Sequence, residues 1–232
     1  NVIGVQTSAN LQYFRQWNKL DARRVEVLHN WLAEAPNLGS RISIKDGSLN
    51  GRTIFVYAGN MGVAQGIDIL IDLAESLCKR SDIGFLFVGR GSVFEQVYAD
   101  VENRGIDNVV FHDEIPSSEI PGLYSQCHVG IVALDPRHKT HNIPGKFLSY
   151  LKAGLPVLAT INQGNDLGKL ILSEGVGRVC NDSSLDTLRQ MAEELADECS
   201  SGISYKEKCH ALSDKLFSPK KAVNQIVTAL EL

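Results

Sequence analysis

The chain has 232 residues, of which 44% are hydrophobic, and a formal net charge of -4 at pH 7. This apolar content is enough for a buried core and excludes a disordered chain, while the acidic balance excludes an overall attraction to nucleic acid. No apolar run reaches the roughly 18 to 20 residues that a membrane span needs. Five cysteines without a CxxC pair favour a reducing, cytoplasmic compartment.

The first 51 residues are predicted to form a small βαβ unit followed by an irregular connection. The connection, residues 30–51, is polar, contains proline and glycine, and has no helical or strand period. We therefore interpret residues 1–31 as the remnant of one domain and residues 32–51 as an interdomain linker. Because the chain starts at Asn1 inside this unit, we expect it to be a fragment of a longer protein. The predicted elements are strand 2–5, helix 9–17 and strand 25–28.

From residue 52 onward, apolar runs of strand length alternate with segments of helical period, which is typical of βα units on a parallel sheet. Beyond residue 177 the chain is predicted to be mainly helical, with Ser184 and Pro219 at helix starts. We predict an α/β fold for residues 52–232, with a doubly wound parallel sheet and a helical C-terminus. The predicted strands are 53–58, 84–88, 108–112, 129–134 and 156–160, and the predicted helices are 68–80, 93–104, 118–127, 146–153, 185–198, 205–216 and 219–230.

Residues 141–157 combine a loop, a helix that starts with a lysine, a glycine stop and a new strand. Pro144 suits the first helical turn, and Gly154 followed by Pro156 ends the helix. The helix N-terminus presents free backbone N–H groups, and Lys146 adds a full positive charge there, so the segment favours an anion such as phosphate. A solvated lysine on an ordinary capped helix would give the same pattern.

Two glycine-rich turns follow predicted strands and could bring backbone amides close to a phosphate or a sugar. The first turn, residues 59–66, precedes a helix, and the second, residues 88–92, contains Arg90, whose guanidinium could reach an anion. Residues 111–116 end a third strand at the same edge of the sheet, where their backbone could pair with the edge of a base. An ordinary surface turn is the alternative in each case.

The sequence gives poor support for a metal site. His138 and His141 share a loop, but they lack a third ligand and a supporting carboxylate. There is no nucleophile elbow, Walker motif or zinc spacing. Basic clusters at 23–24, 137–139 and 220–221 could touch an anionic surface such as a membrane. We expect no metal, no cofactor and no nucleic-acid partner.

Taken in chain order, these segments resemble the C-terminal, donor-binding domain of family-4 glycosyltransferases, a retaining family with the GT-B fold. The resemblance covers about residues 52–231, and residues 2–31 are similar to the last βαβ piece of the family's N-terminal acceptor domain. The matching segments are residues 57–68 and 87–91 for the two glycine-rich turns, 110–129 for base recognition and 143–159 for the sugar-diphosphate helix.

The resemblance implies transfer of a sugar from a nucleotide diphosphate donor, expected to be a UDP-sugar, to an acceptor hydroxyl without a metal. Negative charge builds on the diphosphate as the anomeric bond breaks, so preorganised donors aimed at it lower the barrier. The resemblance assigns this role to Lys146 and to the backbone amides of Gly145, Lys146 and Phe147. The donor-binding residues that it implies are Gly59, Asn60, Gln65, Gly66, Gly89, Arg90, Asp113, Glu114, Ile115, His141, Ile143, Pro144, Gly145, Phe147 and Ser149.

The chain departs from the family pattern at two places. The family's pair of glutamates falls here on His141 and Ser149, and neither residue is acidic. The arginine and lysine that the family often has in its first glycine-rich turn fall on the neutral Asn60 and Gln65. We hypothesise that the cation for the diphosphate is now Lys146, with the arginine of the second turn as another candidate.

Three functions fit this sequence. The first is a glycosyltransferase that makes a surface polysaccharide such as O-antigen or capsule, in the cytoplasm or at the inner face of the membrane, with its acceptor bound by the missing N-terminal domain. The second is a sugar-nucleotide epimerase of the same fold, but His141 and Ser149 give it no acid in the cleft. The third is a non-catalytic nucleotide-sugar-binding module, which the missing glutamates favour. We expect the isolated chain to bind nucleotide weakly and not to turn over, and the sequence defines no oligomeric state.

Overall fold

The computed structural model describes residues 2–16, 24–135, 137 and 142–230. Trp17 in the predicted first helix, His138, and the predicted donor-binding residue His141 lie outside the described residues. The elements are β1 (Val2–Val5), α1 (Ser8–Gln16), β2 (Arg24–Val27), β3 (Thr53–Ala58), α2 (Asp68–Ser76), β4 (Ile83–Val88), α3 (Phe94–Arg104), β5 (Val109–His112), α4 (Ile120–Tyr124), β6 (Val129–Ala133), α5 (Gly145–Ala153), β7 (Val157–Thr160), α6 (Asp166–Glu174), β8 (Gly177–Cys180), α7 (Leu185–Ser200), α8 (Lys206–Leu216) and α9 (Pro219–Leu230).

The described strands form two parallel sheets. β1 pairs with β2, and the larger sheet has the order β5-β4-β3-β6-β7-β8. The chain builds outward from β3 to β5 and then returns to place β6 beside β3. Open α/β sheets bind ligands outside the carboxyl ends of the strands where the order reverses in this way. The ends of β3 and β6 therefore mark the expected ligand crevice.

The predicted α/β class with a parallel sheet is confirmed, and the five strands predicted from residue 52 onward match β3 to β7 within one residue at each end. Two elements, α6 and β8, were not predicted from the sequence. The four residues of β8 include Gly177 and Arg178 and show no apolar alternation. They form a strand because Gly177 packs directly against Val157, where an added Cβ would collide with the carbonyl oxygen.

Residues 28–52 contain no helix or strand, yet they are not separate from the larger sheet. Ile42 and Leu49 are buried in its hydrophobic core. Arg41 forms an ion pair with Glu119, with Nη2 2.7 Å from Oε1. The division of the chain into domains at residues 31 and 51 stays a prediction.

A row of aromatic rings fills one face of the sheet near the ligand crevice. The strand register sets Phe55 opposite Phe85, Tyr57 opposite Phe87, and Phe87 opposite Phe111. The ring centroids of these three pairs are 5.4, 6.1 and 5.1 Å apart. Such pairs contribute about 0.5 to 1.5 kcal/mol each beyond the burial of their area.

Helix α5 packs closely on the sheet at the point where β6 has a glycine beneath it. The ring of Tyr150 occupies the space above Gly130, where an added Cβ would collide with the ring. The Tyr150 hydroxyl donates to the carbonyl oxygen of Val56 at 3.1 Å and accepts from the N–H of Ala58 at 3.4 Å. This contact fixes α5 across the junction of β3 and β6 and so positions the start of the helix over the crevice.

No described helix is both long enough and apolar enough to cross a membrane.

Gly130→Ala is expected to lower the free energy of unfolding by about 2 to 3 kcal/mol, because the new methyl group must displace Tyr150 and with it α5. Urea-induced unfolding measures this change. Gly47→Ala is the matched control, since an added Cβ there has only ordinary contacts in an exposed loop. Equal stability of the two variants would contradict the close packing of α5 on β6.

Candidate functional site

The two glycine-rich turns interlock at the carboxyl edge of the sheet. The N–H of Gly59 donates to the carbonyl oxygen of Val88 at 2.9 Å, and the N–H of Met61 donates to that of Arg90 at 2.8 Å. A Cβ at Gly89 would collide with the carbonyl oxygen of Gly59. The turns approach this closely because they lack side chains at the contact, and they form one rigid wall of the crevice.

The first turn is held by its own neutral side chains. The amide oxygen of Gln65 accepts from Asn60 Nδ2 and from the backbone N–H of Gly62, both at 3.0 Å. Gly66 closes the turn with φ of 56°, a conformation that glycine adopts without strain. Asn60 and Gln65, which replace the family's cations, therefore shape this turn and bring no charge to it.

Helix α5 begins beside this wall. Pro144 is its extended N-cap residue, with φ of −62° and ψ of 140°. Gly145 and Lys146 follow at the first two helical positions, whose N–H groups have no acceptor within the helix. The N–H of Phe147 donates to the carbonyl oxygen of Pro144 at 3.0 Å. Of the three amides to which the resemblance assigns a donor role, that of Phe147 is thus already used in the first turn of the helix.

The side chains of three predicted residues point into the core instead of the crevice. Ile115, Ile143 and Phe147 are buried. The ring of Phe147 meets that of Phe217 edge to face, at a centroid distance of 6.0 Å. At these positions only the backbone is available to a ligand.

Lys146 carries the most unusual group of the site. Its Nζ atom is buried and has no hydrogen-bond partner among the described residues. The atom lies 3.3 Å from the centroid of the Tyr57 ring. A Cβ at Gly59 would be 3.7 Å from it, so the ammonium lies directly beneath the first glycine-rich turn. Desolvation by burial lowers the pKa of Lys146 to about 7.

The second cation of the crevice is already paired. Arg90 Nε is 2.8 Å from Glu114 Oε2, and both side chains are largely exposed. Asp113 is exposed next to them, at the end of the edge strand β5. Arg90 and Glu114 thus form a neutral pair at the mouth of the crevice, which leaves Lys146 as the uncompensated cation among the predicted residues that the structure describes.

Ser149 lies farther along α5. Its hydroxyl donates to the carbonyl oxygen of Gly145 at 3.4 Å. The residue lines a groove of about 790 Å³ that runs between α4, α5 and α8, together with Tyr124 and His210. The structure thus brings Gly59, Gly89 and Lys146 together, and Ser149 borders the adjoining groove.

Sequence reasoning missed two residues of the crevice. Tyr57 contacts Lys146 from within a buried strand, where an aromatic residue indicates only core packing. Asp135 is buried at the end of β6, where its N–H donates to the carbonyl oxygen of Ala64 at 3.0 Å and its carboxylate accepts from Arg137 Nε at 2.9 Å. A charged residue two positions after a wholly apolar strand was the signal for Asp135.

The fold and the crevice define an α/β protein with a candidate anion site at the switch point of its sheet. The family model described as glycosyl transferases group 1 matches residues 52–198, which is more than half of the chain. The chain therefore belongs to the group 1 glycosyltransferases.

Individual relatives are distant. A protein of Pseudomonas aeruginosa named as a probable glycosyltransferase, WbjE, is 24% identical over 147 residues, which is 63% of this chain and 36% of that protein. WcaI of Escherichia coli (strain K12), named as a candidate colanic acid biosynthesis glycosyl transferase, is 24% identical over 161 residues, 69% of this chain and 37% of that one. The chain spans little more than a third of the length of these two curated relatives.

Among solved structures, Anabaena Alr3699/HepE in complex with UDP and glucose is similar over 99% of this chain and 63% of that chain, with a TM-score of 0.76 and 15% identity. At this identity the likeness shows the fold alone. It agrees with a parallel sheet of the kind found in GT-B glycosyltransferases.

The buried ammonium should make stability depend on pH. Because the pKa of Lys146 is lowered in the folded state, the unfolded chain binds a proton between pH 7 and pH 10 that the folded chain has released. The free energy of unfolding of the wild-type protein relative to Lys146→Met should therefore rise with pH, by up to about 1.4 kcal/mol per pH unit. Urea titrations between pH 7 and pH 9, in buffers without phosphate, measure this difference.

Lys79→Met is the matched control, since Lys79 is exposed. Its pH profile should run parallel to that of the wild-type protein. A parallel profile for Lys146→Met would contradict the burial of the ammonium.

Proposed function

We propose that this chain is the donor-binding part of a retaining, family-4-type glycosyltransferase that builds a surface polysaccharide such as O-antigen or capsule. The observation that carries the proposal is the buried Lys146 ammonium, which lies without a hydrogen-bond partner beneath the first glycine-rich turn and at the start of α5. An unpaired buried cation is unfavourable unless an anion completes the site. We assign that anion to the diphosphate of a nucleotide sugar.

Three sets of donors would surround the diphosphate. The Lys146 ammonium would supply the full charge, the amides of Gly145 and Lys146 would supply the positive end of the α5 dipole, and the glycine-rich turns would allow close approach of backbone. As the bond between the anomeric carbon and the diphosphate breaks, negative charge grows on the diphosphate oxygens. Fixed donors in a dry site stabilise that charge more than water does, so Lys146 would lower the barrier as well as bind the donor.

The donor that we propose is a UDP-sugar. A protein of the same fold, Alr3699/HepE, has been solved with UDP and glucose, which supports this choice. The base would lie against the backbone of residues 113–115, and Ser149 would contact the ribose more weakly than a glutamate. His141 is proposed to meet the donor sugar. No metal is expected, because the lysine takes over the neutralisation of the diphosphate.

The acceptor would be a polysaccharide or a lipid-linked sugar, bound by a separate N-terminal domain. Residues 1–31 would be the remnant of that domain, and residues 32–51 would be the linker to it. The named relatives support this role, since one of them is a candidate colanic acid biosynthesis enzyme. We place the reaction in the cytoplasm, with peripheral contact to the inner face of the membrane through basic clusters.

The absence of an acid at Ser149 also supports a second candidate, a non-catalytic nucleotide-sugar-binding module. Release of sugar from UDP-sugars by the protein would exclude this second candidate.

UDP should bind the protein and raise its melting temperature more than GDP or ADP does. Lys146→Met should weaken UDP binding about 30- to 160-fold, because a charge-assisted contact in a buried site contributes about 2 to 3 kcal/mol. Calorimetric titration of UDP at pH 7 measures the affinity. Lys79→Met removes an exposed lysine and should bind UDP like the wild-type protein. Unchanged affinity in Lys146→Met would refute the assignment of the diphosphate to this lysine.

A further inference from the structure

Tyr57 contacts both sides of the proposed diphosphate site although nothing in its sequence context marks it as functional. We propose that Tyr57 is a positioning residue that holds the Lys146 ammonium under the first glycine-rich turn, through its ring, and fixes that turn, through its hydroxyl. The inference rests on the proposed function, because it concerns the same anion site. It concerns a residue that does not itself touch the donor.

The ring supports the ammonium from below. Lys146 Nζ lies 3.3 Å from the ring centroid, which is within the range of a cation–π contact. The ring itself cannot move easily, since Tyr57 is fully buried and Phe87 packs beside it at a centroid distance of 6.1 Å. Phe87 is in turn stacked on Phe111. The rings of Phe111, Phe87 and Tyr57 thus form a row across β5, β4 and β3. The Lys146 ammonium lies at the end of this row, against Tyr57.

The hydroxyl holds the opposite wall of the site. It donates to the carbonyl oxygen of Asn60 at 2.6 Å. Asn60 directly follows Gly59, and a Cβ added at Gly59 would lie 3.7 Å from Lys146 Nζ. One buried side chain therefore sets the distance between the lysine and the turn above it.

A ring suits this task better than a carboxylate because it leaves the lysine's charge uncompensated. The ring quadrupole favours the ammonium form, whereas desolvation disfavours it. Tyr57 itself stays neutral, since burial raises the pKa of its hydroxyl far above the usual range. Of the carboxylates at this edge of the sheet, Asp135 contacts Arg137, Glu114 contacts Arg90, and Asp113 is exposed. The positive charge is therefore available to an anionic ligand.

This arrangement links donor binding to a proton. A neutral Lys146 must take up a proton to pair with the diphosphate, so the dissociation constant for UDP should rise toward about tenfold per pH unit above pH 7. UDP itself is almost fully deprotonated in this range, because the phosphate pKa is about 6. Proton uptake on binding therefore reports the state of the lysine.

The test is calorimetric titration of UDP into the protein at pH 7, 8 and 9, in pairs of buffers with different ionisation heats, which gives affinity and proton uptake together. Tyr57→Leu removes the ring, and at pH 7 it should weaken UDP binding about tenfold and increase proton uptake, because the lysine then loses its proton at lower pH. Tyr57→Phe keeps the ring and should retain the wild-type dependence of proton uptake on pH. Lys146→Met should show no uptake.

Phe55→Leu is the matched control for damage to the core. Phe55 is two residues from Tyr57 on the same face of β3, is equally buried, and stacks on Phe85. Damage to the core alone would lower the affinity for UDP without changing how proton uptake depends on pH. We expect this behaviour of Phe55→Leu.

Two kinds of result would overturn the inference. In the first, the pH dependence of proton uptake in Tyr57→Leu matches that of the wild-type protein or of Phe55→Leu, or Tyr57→Phe shows the shift in proton uptake that is expected of Tyr57→Leu. The ring then does not hold the lysine, while the proposed function stands. If the wild-type protein does not bind UDP, or if Lys146→Met binds it equally well, the proposed function fails first and the inference fails with it.

Discussion

The site depends on the amino group of Lys146, which is kept out of water with no carboxylate paired to it among the described residues. Burying an ammonium is unfavourable by several kcal/mol unless other groups compensate it, and the protein compensates Lys146 only partly, with the face of an aromatic ring. The remaining unfavourable energy is what an anionic ligand can relieve. The site is therefore preorganised in its geometry, since the Lys146 amino group and the N–H groups at the start of α5 are in place before the ligand arrives, and proton uptake completes the charge on binding.

The rest of the fold keeps this charge where it is. The glycine at position 130 allows Tyr150 to lie against the sheet, and this contact fixes α5 and the lysine at its start. The glycine at position 89 allows the second turn to support the first. In both places a missing side chain lets two elements approach to the distance that the site needs. Stability and function are thus coupled through packing, because loosening either contact would also move the charge.

The sequence was a good guide to the sheet and to the start of the helix at which we propose the site, because both follow from local patterns. Apolar runs locate β3 to β7, and Pro144 and Gly154 locate the two ends of α5. Pattern could not reveal that Lys146 turns inward onto Tyr57, since that contact joins residues far apart in the chain. It also could not show that the N–H of Phe147 is used within the helix, which is a matter of backbone geometry. Strand β8 was missed because its packing comes from Gly177 and not from apolar alternation.

The neutral first turn increases how much the site depends on the lysine and on the ring beside it. In a chain whose glycine-rich turn carries its own cations, an aromatic residue at the position of Tyr57 would be one core residue among many. Here Asn60 and Gln65 bond to each other, and the charge comes from a helix that follows a different strand. Positions 57 and 146 are therefore physically coupled, because the ring contacts the ammonium that supplies the charge. A variant without the lysine would gain nothing from this contact, and a variant with a cation in the turn would depend less on both residues.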